Sequence, residues 1–215
     1  MRFNTVLFDL DGTLMDHLPA IHRCYAHTLP QLGLPAPTYE QVKRAIGGGL
    51  ENAMVKFIPA ARLGEALAIY RPFWDANLLT GADPMPGALA LLERLHARGI
   101  VCAVFTNKLG TSARQVCAHL GFTPHVLQVI GAKDTPWLKP APEFTAHALK
   151  LLDADPATTC LVGDSPWDVQ AAHNAGFPCF AVTTGTHTAD ELRAAGADGI
   201  YENLTALGAA EFLVT

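Results

Sequence analysis

Short continuous runs of apolar, β-forming residues punctuate the chain at Thr5–Leu10, Val101–Thr106, Val126–Ile130, Cys160–Gly163 and Cys179–Val182. Continuous rather than alternating hydrophobicity is the pattern of strands buried on both faces of a sheet. Between these runs the apolar positions take up helical spacing. Gly87–Arg98 carries Leu91, Leu92 and Leu95, Pro142–Leu152 carries Phe144, Leu149, Leu151 and Leu152, and Leu109–Leu120 and Val169–Ala175 follow the same period. Pro86-Gly87 and Pro142 stand where helices open, and Arg98-Gly99 and Ala175-Gly176 where they stop, as the fixed φ of proline and the free φ of glycine favour. Strand and helix in alternation predict an α/β protein with a parallel sheet. The last stretch, Asp198–Thr215, reads as a short edge strand at Gly199–Tyr201 followed by a helix.

One segment breaks the alternation. From Asp16 to Met85 the pattern is helical at Ile21–Leu32, Tyr39–Ile46, Leu50–Phe57 and Leu63–Leu79, with no convincing strand. Residues 16–85 therefore read as a helical domain inserted into a core made of residues 1–15 and 86–215. It leaves after the first strand and returns before the second, so both ends emerge at the carboxyl edge of the sheet, where open α/β sheets bind ligands. A cap over an active site is the economical expectation. A helix face such as Leu63, Leu67 and Tyr70 would form the core of that cap or a dimer surface.

Composition narrows the picture. Half of the 215 residues are hydrophobic and 16% are charged, which suits a packed core and excludes disorder. A formal charge of −5 argues against phosphate-backbone binding, which calls for a basic surface. Five cysteines at 24, 102, 117, 160 and 179, with no C-x-x-C pair, point to reduced buried thiols rather than a disulfide framework. The apolar run after Met1-Arg2-Phe3-Asn4 is too short for a signal segment, and no run reaches the ~20 residues of a membrane span. A cytoplasmic protein is expected, monomeric or homodimeric.

The chemistry gathers where strands end. The first leads into Asp9-Leu10-Asp11-Gly12-Thr13, the second into Thr106-Asn107-Lys108 and the fourth into Gly163-Asp164-Ser165-Pro166-Trp167-Asp168, while a later loop offers Lys139-Pro140. Asp9, Asp11, Asp164 and Asp168 converging on one cleft would repel one another unless a cation sat among them. Hard oxygen ligands with room for water favour Mg²⁺. Lys139 and the Thr106 hydroxyl would then serve the oxygens of a phosphoryl group. Asp9, fixed at a strand end, suits a nucleophile that forms an aspartyl-phosphate. Asp11 suits a general acid and base. Gly12 would let the chain turn sharply and bring backbone N–H groups to the phosphate.

These motifs, in this order, resemble the haloacid dehalogenase superfamily of phosphohydrolases, with its D-x-D-G-T, T/S-N, K-P and G-D-x-x-x-D signatures, and the likeness spans essentially the whole chain. It implies a Rossmann-like core with a helical cap, a Mg²⁺-dependent phosphatase activity and a small phosphate ester as partner. By the same resemblance Asp9 is the nucleophile and a metal ligand. The Asp11 side chain is the acid/base and its carbonyl a metal ligand, and Asp164 and, directly or through water, Asp168 complete the metal set. Thr106, Asn107 and Lys139 hold the phosphoryl group or balance its charge. Asp16–Ile21, Val42–Leu50, Tyr70–Phe73 and Thr106–Lys108 look most like phosphoglycolate phosphatases, which makes 2-phosphoglycolate the leading substrate. His17 departs from the small polar residue common there, and Asp134–Leu138 is more apolar than the subgroup's basic loop.

The cap supplies further candidates. Gly47-Gly48-Gly49 lacks the strand and the Lys-Ser/Thr of a P-loop, so Gly48 is expected in a flexible loop lining the substrate pocket. His17 and Arg44 are candidate substrate contacts, while Trp137 would wall the pocket and Trp167 would pack. The nine histidines show no paired metal-binding spacing. Alternatives are a sugar-phosphate mutase with the same four motifs, a phosphonate hydrolase using Lys43 or Lys56 as a Schiff base, and a dehalogenase, which the Asp11, Asp164 and Lys139 set disfavours. From another class comes a non-catalytic binding protein.

Overall fold

The computed structural model describes residues 2–213; the end of the expected final segment, residues 214–215, lies outside the described residues. In chain order the strands are β1 (Thr5–Phe8), β2 (Met15–Asp16), β3 (Asp83–Pro84), β4 (Val101–Leu109), β5 (Gln128–Ala132), β6 (Thr159–Gly163), β7 (Cys179–Val182) and β8 (Gly199–Tyr201). The α-helices are α1 (Leu18–Gln31), α2 (Tyr39–Ala45), α3 (Leu50–Met54), α4 (Leu63–Asn77), α5 (Ala88–Ala97), α6 (Gly110–His119), α7 (Pro142–Leu152), α8 (Pro166–Asn174), α9 (Ala189–Ala194) and α10 (Leu204–Glu211).

Six strands form a parallel sheet in the order β5-β4-β1-β6-β7-β8. The central strand β1 pairs with β4 (Thr5↔Val101) and with β6 (Thr5↔Thr159). Successive side chains of a strand point to opposite faces, and the core divides accordingly. Val6 and Phe8 join Val104, Val162, Leu92 and Leu95 on one face, while Leu7 joins Phe105, Leu161, Phe144 and Val169 on the other. Both faces are thus covered by helices, which is why the strands read as continuous apolar runs.

The helical stretch between β2 and β3 packs as a unit, chiefly α1 on α4, through Tyr25, Met54, Tyr70 and Trp74. Tyr70 is buried there and Leu63 and Leu67 are half-buried, so that face packs inward. The stretch joins the sheet through a feature that the hydrophobic pattern does not carry, the antiparallel pair Met15↔Pro84 and Asp16↔Asp83. Two-residue strands are too short to show a period. The six-residue α9 was not expected either; a capping box between Thr188 and Glu191 opens it. Strand β4 runs on past Thr106 to Leu109, with a shift of register between Phe105 and Leu109. Among the described residues no helix is long and apolar enough to cross a membrane.

Candidate active site

The loops after β1, β4 and β6 open at one edge of the sheet, and the Lys139 loop joins them there. The Asp9 N–H is held by the Val162 carbonyl at 2.9 Å, which continues the sheet one residue beyond β1 and fixes the carboxylate's direction. One oxygen each from Asp9, Asp164 and Asp168 lies within 4.8 Å of the others, all three residues being buried. Lys139 sits against this cluster, 2.6 Å from Asp168 Oδ1 and 3.0 Å from Asp9 Oδ1, and donates to the Phe105 carbonyl at 2.9 Å. Beyond this ion pair the buried Asp9 Oδ1 has no hydrogen-bond partner.

One ammonium among three buried carboxylates leaves an excess of negative charge. Burial raises the Asp9 pKa to about 6, against the pull of Lys139 and with the repulsion of Asp168. Burial, helped by the charges of Asp9 and Asp168, raises Asp164 to about 8. Lys139 is held above the ordinary lysine value: burial opposes its charge, but Asp168 and Asp9 outweigh it. A buried carboxylate oxygen with no partner beyond Lys139, clustered acids and raised pKa values are the conditions that a hard divalent cation relieves. The donor set fits one, with Asp9 and Asp164 as the residues best placed to hold it. Asp168 is committed elsewhere, to Lys139 and to the N–H and Oγ of Ser165 at 3.1 and 2.6 Å; it orients Lys139 and opens α8.

Asp11 stands apart from the cluster. Both its oxygens lie 3.1 Å from Lys108 Nζ. Burial works against the carboxylate, yet the charge of Lys108 leads the opposing pull that brings its pKa down to about 2. Lys108 is a site residue that the sequence reading leaves out, although its i, i+2 spacing from Thr106 on a strand is a signal for it. Thr106 is buried and its hydroxyl accepts the Lys108 N–H at 3.2 Å.

Asp9, Asp11, Thr106, Lys108 and Asp164 line a cavity of about 420 Å³ between the sheet edge and the helical stretch, within the range of ligand pockets. Gly47, Gly48, Tyr70, Trp74 and Trp137 line it as well. Trp167 packs beside Gly47 and Gly48, 3.4 and 3.6 Å from where their Cβ atoms would stand.

Other expected site residues lie elsewhere or act differently. Arg44 is exposed and paired with Glu40 at 2.8 Å, away from the cavity. His17 is buried behind Asp11, its Nε2 bonded to the Leu78 carbonyl at 2.8 Å. The Asn107 side chain is spent on backbone: Oδ1 accepts the Lys139 N–H at 2.7 Å, and Nδ2 donates to the carbonyls of Lys139 and Gly47 at 3.1 and 3.2 Å. The Gly12 N–H turns to the Met15 carbonyl at 2.8 Å instead of facing the cavity. Glycine is required at position 12 for another reason, because φ is +84° and a Cβ would lie 2.7 Å from Asp164 Oδ2. Lys56 donates to the Ala45 carbonyl at 2.9 Å, and neither it nor Lys43 lines the cavity.

Asp164 has supports that local sequence did not reveal. Thr13 Oγ1 donates to its Oδ1 at 3.2 Å, and the Thr186 N–H to its Oδ2 at 2.9 Å. Thr186 follows β7, whose place beside β6 is a product of topology.

A strand-end carboxylate facing a lysine and a cation-ready acidic pair thus stand together at one edge of the sheet. Residues 6–182 match the haloacid dehalogenase-like hydrolase family, and the chain belongs to it. It is 33% identical over 214 residues to a phosphoglycolate phosphatase of Rhodospirillum rubrum, covering 94% of this chain and 88% of that one. With the plasmid-borne phosphoglycolate phosphatase of Cupriavidus necator the identity is 36%, over 95% and 91% of the two chains. A haloacid dehalogenase-like family hydrolase from Streptococcus pneumoniae superposes with a TM-score of 0.88 at 25% identity, covering 96% of this chain and 98% of that one. The protein is a phosphatase of this family.

Proposed function

We propose that the protein is a Mg²⁺-dependent phosphomonoesterase acting on a small anionic ester, 2-phosphoglycolate first among the candidates. The observation that carries the reading is the buried Asp9–Asp164–Asp168 cluster with Lys139, opening on a cavity that also holds Asp11. Two relatives that match nearly the whole chain bear the name phosphoglycolate phosphatase. Lys133 and Arg71 in the cavity wall each stand 3.4 Å from Glu51, and two cations against one carboxylate leave a positive charge that suits a second negative charge on the ester. Mg²⁺, held by Asp9 and Asp164, would offset the negative charge of the phosphoryl group.

In the first half-reaction an Asp9 oxygen attacks phosphorus, the P–O bond to the alcohol breaks, and the proton of the Asp11 carboxyl passes to the leaving oxygen. The Asp11–Lys108 pair keeps the free site's Asp11 ionised; a phosphoryl dianion brought alongside favours uptake of a proton from solvent on binding, and this protonated carboxyl is the starting state of the cycle. In the second half-reaction Asp11 takes a proton from water, the hydroxide oxygen attacks phosphorus, and the bond to Asp9 breaks. Inorganic phosphate leaves, and both carboxyls return to their starting states. Lys139 keeps Asp9 oriented and shares the charge of the equatorial oxygens. The Thr106 hydroxyl donates to one of them.

Residues 16–85 serve as the cap that closes this chamber and excludes water. The five free, buried cysteines suit a reducing, cytoplasmic setting. The test is phosphate release from a panel of small phosphate esters, 2-phosphoglycolate and sugar phosphates included, with Mg²⁺ and with EDTA. Metal-dependent release that peaks on one small acid supports the reading; metal-independent release, or none, overturns it.

A further inference from the structure

Lys108 is the one cavity-lining lysine whose ammonium is fixed on several sides at once. Its side chain is 6% exposed, with Nζ 3.1 Å from each oxygen of Asp11, 3.1 Å from His17 Nδ1 and 4.6 Å from the centre of the Trp74 ring. The Leu78 carbonyl is bonded to His17 Nε2 and can only accept, so Nε2 carries the ring proton and Nδ1 is left to accept from Lys108. The His17 ring in turn packs against Trp74 at 4.9 Å, and Trp74 Nε1 donates to Ser112 Oγ at 3.3 Å. Trp74 lies on α4 and Leu78 follows its last residue. The end of one cap helix therefore grips Lys108 by two routes, one through the indole face and one through His17, while Lys108 grips Asp11.

A cation buried at such cost in freedom, with its charge turned onto a single carboxylate, fixes where that carboxylate points. We propose that Lys108, seated by His17 and Trp74, is a positioning residue that aims Asp11 at the oxygen of the departing alcohol. The inference rests on the acid/base reading of Asp11 given above. Without Lys108 the carboxyl remains but is no longer held at the leaving oxygen, so proton transfer to that oxygen is lost while the attack of Asp9 is not.

The consequence depends on the leaving group, which a merely structural role would not produce. A nitrophenolate departs unaided, whereas an alkoxide needs the proton as the P–O bond breaks. Lys108→Met keeps most of the length of the side chain without its charge. The rate of alcohol release in the first turnover, which precedes the activation of water by Asp11, is expected to fall about 100-fold or more on an alkyl phosphate such as 2-phosphoglycolate or glycerol phosphate, in the range of general acid catalysis. On 4-nitrophenyl phosphate it should stay within about threefold of the parent. Lys108→Arg, which can still fork onto a carboxylate, should recover part of the loss, and His17→Phe should reproduce it in weaker form. Lys108→Gln gives the same comparison should the Met variant fail to fold.

An equal first-turnover loss on both esters, or a rise in KM alone, overturns the proposal, the latter making Lys108 a substrate contact. Asp11→Asn measured beside it separates the two levels. If Asp11→Asn discriminates between leaving groups and Lys108→Met does not, the positioning role fails; if neither discriminates, the acid/base reading itself fails.

Discussion

Lys139 Nζ meets Asp168 Oδ1 at 2.6 Å with neither side chain more than 1% exposed. Removing Asp168 leaves this buried ammonium with Asp9 as its remaining close carboxylate, at a cost of up to about 3–5 kcal/mol. Asp168→Asn is therefore expected to lower Tm by many degrees and to loosen Lys139 from Asp9, so that activity falls as well. A variant with the parent's melting curve and turnover would show the pair to be dispensable.

Asp9→Asn should behave in the opposite way toward stability. It removes a carboxylate that repels Asp164 and Asp168, so the metal-free variant should melt no lower than the parent. Turnover should vanish, and intact-mass measurement after rapid quenching should find no phosphoryl adduct. Residual turnover near the parent's would remove Asp9 from the nucleophile's role.

The raised acids give the metal-free protein a pH dependence of definite sign. Asp9 and Asp164 ordinarily titrate at 3.8 and are pushed to about 6 and about 8. Between those limits the folded form holds protons that the unfolded form has released, so stability present at low pH is lost as pH rises from about 4 through about 8. A cation binds the deprotonated site, so the rise in Tm on adding Mg²⁺ should be larger near pH 8 than near pH 6. Thermal melts across this window with EDTA and with Mg²⁺ check both slopes. A metal-free protein that gains stability over the same window would contradict the reading of the cluster.

Gly185 offers a probe that leaves every carboxylate in place. A Cβ there would stand 1.9 Å from Asp164 Oδ2, so Gly185→Ala must move Asp164 or the loop. A stability cost of about 1–3 kcal/mol is expected from the overpacking. Beyond that, the Mg²⁺ concentration for half-maximal activity should rise, a readout that general destabilisation would leave alone.

Arg44→Ala is the matching control. Its side chain is 74% exposed and paired only along its own helix, a contact worth a few tenths of a kcal/mol at most. Stability, kcat and KM should all be unchanged within error.

The two kinds of site residue differ in how visible they are along the chain. Asp9, Thr106 and Asp164 can be read from sequence because each follows an apolar run that must be a strand, and strands of a parallel sheet end together. The helices between Leu18 and Asn77 are equally plain from their spacing. Asn107 and Gly12 show the limit of this reasoning. Their position in the motif is right, but which partner takes an amide or an N–H depends on loops 32 residues away or on a turn closing on Met15. His17 and Lys108 show it again, since their contacts arise only where the end of α4 meets the sheet edge. Thr186 left no local trace at all.

The register of the central strand also has a consequence for how the chain is made. Thr5 pairs with Thr159 on one side and Val101 on the other, so β1 waits for partners that lie far down the chain. During synthesis the α1–α4 stretch is complete long before either edge of β1 is covered. An apolar strand with open edges is the form most prone to pair with a neighbouring chain. Truncations that stop before Thr159 are accordingly expected to aggregate, and the ribosome must deliver three-quarters of this protein before its first strand is safe.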